Sequence, residues 1–327
     1  MAEDDSPRTP PGWENDGDAL IRIASADGRA VAWLMPERGA NCVAFMVRVG
    51  GAWLDVLHNI GPAALAERPS RFGCPILFPF PGHMMDFRYH WQGRTLTIPR
   101  RGSTAPSFTH GFAHTHAWRV ADVALDRATV TFSTADDLDP DQRAGYPFDV
   151  HLTDTVSVHG ETLRMHLSAT NEGADVAPVG IGLHPYFAVA ALGGDRTRVR
   201  VALPGRQEHI QSRSVPTGEK VPVGDPYVTV PPMGETANVA RTDLAPESRA
   251  TLTDPTGART IALTCITGVR DVVYFTPADQ PSISIEPHTC APGAASQPEG
   301  RPDGLVPLAP GATLVMTVEI TLRAAGG

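Results

Sequence analysis

Two histidines and a carboxylate in this chain stand in short stretches of constrained backbone, and their residue types suit acid–base chemistry. His184 lies in Pro178-Val-Gly-Ile-Gly-Leu-His-Pro-Tyr-Phe187. A residue preceding proline is pushed towards extended backbone, so His184 is expected on stiff, strand-like chain. Its imidazole titrates near neutrality; the alternative is a core histidine bonded to a carbonyl. Glu286 ends Ser282-Ile-Ser-Ile-Glu286 and also precedes a proline. Alternation along a strand sends Ile283 and Ile285 to one face and Ser282, Ser284 and Glu286 to the other. If the isoleucines fill a core, Glu286 lies on the outer face, where a curved sheet makes a trough. A poorly hydrated carboxylate there is a better general base; the alternative is a solvated charge at a strand end. His110 opens His110-Gly-Phe112. The glycine after it permits a backbone a side chain would forbid, or close approach of a ligand; a surface turn histidine is the other reading.

His114-Thr-His116 places two imidazoles two residues apart, on one strand face if extended. With His110 and Glu286 they could compose a metal site, although nothing in the spacing demands it. Arg71 is the arginine expected nearest the trough, suited to sugar hydroxyls, a carboxylate or a phosphate, unless it is an ordinary surface cation. There is no P-loop, no GxGxxG opening a helix and no GxSxG elbow.

The elements that must position these residues read as strands. The clearest are Glu161–Thr170, where Leu163, Met165, Leu167 and Ala169 alternate with polar residues, and a last strand with Leu314, Met316, Val318, Ile320 and Leu322 on one face. Hairpins are expected around Gly50-Gly51 and Gln92-Gly93. Residues 62–68 fit one or two helical turns. Residues 71–83, apolar but broken by prolines, read as an ordered loop; 136–147 read as a polar loop; 204–248 read as irregular, with a strand at 227–230. With no long amphipathic helix, the fold class is all-β: a large antiparallel β-sandwich with few short helices. Residues 1–18 are expected to be a disordered or loosely attached tail, and 19–327 one β-sandwich domain.

The 327 residues, 42% hydrophobic, suffice for a large core. Gly and Pro, 31 of each, suit many turns between short strands. A net charge of −9 argues against a nucleic-acid footprint. No apolar run of about 18 residues marks a membrane span, and the acidic N-terminus does not read as a signal peptide. Cys42, Cys74, Cys265 and Cys290 are far apart and read as reduced thiols of a cytoplasmic protein.

With these residues assembled, the chain resembles the aldose 1-epimerase (galactose mutarotase-like) family over about residues 20–323. The resemblance is carried by Gly73-Cys-Pro-Ile-Leu-Phe-Pro-Phe-Pro81, His110-Gly-Phe112, His184-Pro-Tyr-Phe187 and Glu286-Pro-His-Thr289, with minor support from Val215-Pro-Thr-Gly-Glu219 and Tyr274-Phe-Thr-Pro277. It implies a β-supersandwich with a sugar cleft, and interconversion of the α and β anomers of a free aldohexose without cofactor or metal. It implies Glu286 as general base, His184 as general acid and His110 as a hydrogen-bonding partner near the ring oxygen. Arg71, Asp243 and Tyr186 are the expected substrate-binding residues, and the expected partner is a small-molecule sugar, bound by a monomer or homodimer. Gly82-His83 stands where many members carry Asn-Arg. Arg71 before Phe-Gly-Cys-Pro resembles instead the hexose-6-phosphate mutarotase branch, whose mark would be a second arginine converging with Arg71. A non-catalytic sugar-binding protein of the same fold is a further alternative.

Overall fold

Leu163, Met165, Leu167 and Ala169 all point into the core, directly opposite Ile320, Val318, Met316 and Leu314 of the last strand. This pairing, Thr162–Asn171 against Thr313–Ala324, is the centre of the largest antiparallel sheet among the described residues. The computed structural model describes residues 7, 9–14 and 20–324. The largest sheet has nine strands, in the order Arg119–Val123, Arg127–Ser133, Val150–His159, Thr162–Asn171, Thr313–Ala324, Arg259–Thr267, Arg249–Thr253, Arg200–Ala202 and Tyr227–Val228. The second sheet runs Val215–Pro222, Gln207–Ser212, Ala237–Thr242, Asp271–Thr276, Ser282–His288, Gly182–Leu183 and Ile76–Leu77, with Tyr186–Ala188 also paired to Ser282–His288. Side chains of both sheets, among them Ile283, Ile285, Val272, Leu163 and Val318, meet in one hydrophobic cluster. A third sheet of four strands spans Ile21–Ala24 to Ala52–Asp55. The fold is all-β; its three α-helices among the described residues, Pro62–Glu67, Thr134–Asp137 and Pro140–Gly145, are short. Among the described residues no helix is long and apolar enough to cross a membrane.

The structure departs from the sequence expectations in four places. Residues 204–248 are not irregular: Gln207–Ser212, Val215–Pro222 and Ala237–Thr242 form one flank of the second sheet. The outer two, Gln207–Ser212 and Val215–Pro222, are largely polar and exposed, so ladder hydrogen bonds hold them where a buried apolar face gives no signal; Ala237–Thr242 packs Ala237 and Val239 against the core. Residues 136–147 contain the helix Pro140–Gly145, begun by a capping box between Asp139 and Gln142. The proline-broken stretch supplies the two-residue strand Ile76–Leu77 at the sheet edge, the position that tolerates flanking prolines. Residues 9–14 are not loosely attached. Trp13 is fully buried beside Val31, Trp33, Val43 and Leu65, and its indole N–H donates to Asn59 Oδ1 at 2.8 Å. The rest of the expected tail, 1–6, 8 and 15–18, lies outside the described residues.

Candidate active site

The strand Ser282–His288 keeps the alternation its sequence implies. Ile283 and Ile285 enter the core, and the opposite face carries Ser284, Glu286 and His288. Side chains of adjacent strands stand in register across it. Tyr186 pairs with Ser284, Ser284 with Phe275, and Phe275 with Asn238; Asn238 Oδ1 then accepts from Gln211 Nε2 at 3.2 Å. Above this row lies a cavity of about 360 Å³, within the usual size range of small-molecule sites.

His184 sits between the strands Gly182–Leu183 and Tyr186–Ala188, its backbone N–H bonded to Pro75 O at 3.0 Å. Its ring is buried and stacks on Tyr186, with centroids 4.5 Å apart and planes 10° from parallel. Ser284 Oγ lies 2.8 Å from His184 Nδ1 and 2.8 Å from Pro185 O. A hydroxyl has one proton, and a carbonyl can only accept it. Ser284 therefore donates to Pro185 and accepts from Nδ1–H, an assignment made from the bonding network. Nε2 is left facing the cavity, 3.2 Å from Glu286 Oε1 and 3.2 Å from the Tyr186 hydroxyl. Burial pulls His184 below the usual imidazole range, with the Glu286 charge opposing it. Burial, and then the Glu286 charge, raise the Tyr186 phenol, so that it stays a donor.

His110 has φ 66°, and Gly111 follows at φ 73°. A Cβ on Gly111 would stand 2.1 Å from Phe78 O, so only glycine fits where this turn meets the proline-broken stretch. Gly82 N–H donates to His110 Nδ1 at 3.3 Å, which puts the proton of the neutral ring on Nε2. Burial, and then neighbouring His184, His114, His83 and His288, push His110 well below the ordinary histidine range. It is thus a neutral donor, edge-on to His184 with ring centroids 5.2 Å apart.

Arg71 lines the same cavity and is paired with Asp279, whose other oxygen accepts from Arg68 Nη1 at 2.7 Å. Glu286, His184, His110, Tyr186 and Arg71 therefore converge. Asp243 does not. It follows the strand Ala237–Thr242 at φ 61°, away from the cavity lining, and forms a two-pronged ion pair with Arg206. His114 and His116 do not share a strand face either. They flank Thr115 in a 3₁₀ turn; His114 is buried, and His116 Nε2 lies 3.0 Å from Gln142 Oε1. Among the described residues no three His, Cys, Asp or Glu side chains are grouped to hold a metal ion.

A family model described as aldose 1-epimerase matches residues 22–321. The chain belongs to the aldose 1-epimerase family. Among solved structures it is similar to a galactose mutarotase-like protein from Clostridium acetobutylicum (TM-score 0.79, 19% identity, 93% of this chain and 95% of that one). It is also similar to the GalM/aldose epimerase homologue from C. elegans (TM-score 0.76, 14% identity, 93% and 98%). Among curated proteins it resembles the uncharacterized protein YphB of Escherichia coli (strain K12), at 24% identity over 157 residues, 48% of this chain and 50% of the relative. The match thus spans about half the length of that relative.

Within this family member, several cavity residues were not anticipated from the sequence. Gln211, Ser214 and Asn238 come from the segment expected to be irregular, and no periodic apolar pattern betrays them. His83, where many family members carry the Arg of Asn-Arg, lines the cavity, with Nδ1 2.9 Å from Ser107 Oγ. Ser284, on the face of Glu286 as the alternation implies, is fully buried and reaches the site through its bond to His184.

Proposed function

We propose that this protein is an aldose mutarotase acting on a free aldohexose. The observation that carries the reading is the pair formed by Glu286 Oε1 and His184 Nε2, 3.2 Å apart in a cavity otherwise lined by neutral polar groups, aromatics and one arginine already paired. A carboxylate and an imidazole sharing one proton are a base and an acid side by side. With the proton that the pair shares on Nε2, His184 delivers it to the ring oxygen while Glu286 takes the proton of the C1 hydroxyl, and the bond between C1 and the ring oxygen breaks. Rotation about C1–C2 presents the other carbonyl face. The ring oxygen returns its proton to His184 as it attacks C1, and Glu286 reprotonates the C1 oxygen. No net proton is consumed. Neutral His110, with Nε2–H available, donates to the ring oxygen as charge develops. The Ser284 bond keeps the acid's catalytic nitrogen turned towards Glu286.

The test is the optical rotation of freshly dissolved α-D-glucose and α-D-galactose, for wild type and Glu286→Gln. The expected result is faster approach to equilibrium with wild type only. Equal, uncatalysed rates for both proteins and both sugars would overturn the free-sugar reading. A second substrate class, a hexose 6-phosphate, rests on Arg71 in the cavity wall; Arg68 shares Asp279 with it but lines a neighbouring pocket. Glu67 lies 4.0 Å from Arg68, so two arginines face two carboxylates, and a hexose 6-phosphate would have to displace Asp279 to engage Arg71. Anomer-resolved NMR of glucose 6-phosphate, with Arg71→Gln as the variant, separates the two substrates.

A further inference from the structure

Glu286 has an imidazole at each oxygen. His184 Nε2 faces Oε1, and on the other side His288 Nε2 lies 3.4 Å from Oε2. His288 is two residues beyond Glu286 on the same strand face, and it is fully buried. Neither of its ring nitrogens has a hydrogen-bond partner. A buried imidazole left unpaired is costly, yet the neighbouring strand is built to admit it. Gly182 is its register partner, and a Cβ there would stand 2.6 Å from His288 Cδ2. On the opposite side its register partner is Asp271, also fully buried, whose Oδ1 is 2.5 Å from His209 Nε2 and whose Oδ2 is unpaired. His209, Asp271, His288 and Glu286 thus form a buried polar row running towards the cavity.

We infer that His288 is a positioning residue for the general base: its Nε2–H holds Glu286 Oε2, so that Oε1 is presented to the substrate and to His184. The separation of 3.4 Å is short enough for a small ring rotation to align the bond, as catalytic hydrogen bonds often tighten only with substrate bound. Its Nδ1 then turns towards the Asp271–His209 pair. This inference rests on the mutarotase reading for its effect on rate, but its geometry can be tested without substrate.

The experiment compares His288→Leu, which fills the niche without a donor, with His288→Gln, whose amide N–H stands where Nε2 does. Thermal melting confirms that each variant is folded. The expected result is a kcat lowered about 10- to 100-fold in His288→Leu, the loss of one hydrogen bond to a charged group, with KM within about threefold. In His288→Gln most of that kcat returns. In ¹⁵N-imidazole spectra of the free protein, the resonances absent from His288→Gln belong to His288, and they should shift in Glu286→Gln. A His288→Leu protein with wild-type kcat would overturn the inference. So would equal losses in both variants together with a His288 spectrum indifferent to Glu286→Gln, the signature of a space-filling ring. If wild type accelerates no aldose, the mutarotase reading fails by itself, and the spectra still decide for or against the contact between His288 and Glu286.

Discussion

Asp154 offers the sharpest test of the electrostatics of this fold, because it sits where a hydrophobic residue would be expected. It is the middle member of Val150, Leu152, Asp154, Val156 and Val158, all buried on the core face of one strand. Its register partners Val130 and Leu167 are also in the core, and neither carboxyl oxygen has a hydrogen-bond partner. Burial pushes its acid up to about 8 from an ordinary 3.8. In the unfolded chain it ionises near the ordinary value. A folded group raised in this way leaves stability intact below the unfolded value and drains it as pH climbs to the folded one. The drain is about 1.4 kcal/mol per pH unit, so between about pH 5 and pH 8 Asp154 alone removes about 4 kcal/mol. Asp154→Asn keeps the shape and cannot ionise. Urea unfolding followed by tryptophan fluorescence, across that pH range, should find the variant close to wild type at the acid end. It should become progressively more stable than wild type towards the alkaline end. A difference between the two proteins that stays flat with pH would refute the reasoning.

The other predictions concern the site and its supports. Ser284→Ala removes the acceptor of His184 Nδ1–H and should lower kcat in the mutarotation assay about 10-fold with little change in KM. His114, buried and pulled down to about 4 by burial and then by His116, contributes stability that is present above the ordinary imidazole value. That contribution is lost as pH falls from about 6.5 to about 4. His114→Phe should flatten this acid limb by about 3 kcal/mol in urea unfolding at stepped pH. Gly111→Ala, with its Cβ driven onto Phe78 O at a positive φ, should cost more than about 2 kcal/mol in thermal melting. It should also displace His110, seen as a changed ¹⁵N-imidazole signal.

The sequence alone determined the strands whose burial is one-sided, because alternation is a local property of the chain. Leu163 to Ala169 and Leu314 to Leu322 face the core as their period demands. The same alternation placed Glu286 opposite Ile283 and Ile285. Constrained backbone around His110 and His184 was equally legible, since glycine and proline act on their immediate neighbours. Register between distant segments, by contrast, is set only when the chain folds. Ladder pairing set His288 between Gly182 and Asp271, and Tyr186 beside Ser284. The outer strands of the flank, 207–212 and 215–222, left no pattern because they are polar and gain little from burial. Asp243 was drawn to Arg206 rather than to the cavity, and Arg71 found Asp279 across 208 positions of sequence. Charge partners of that kind are chosen by proximity in the folded state, and no local pattern in the chain specifies them.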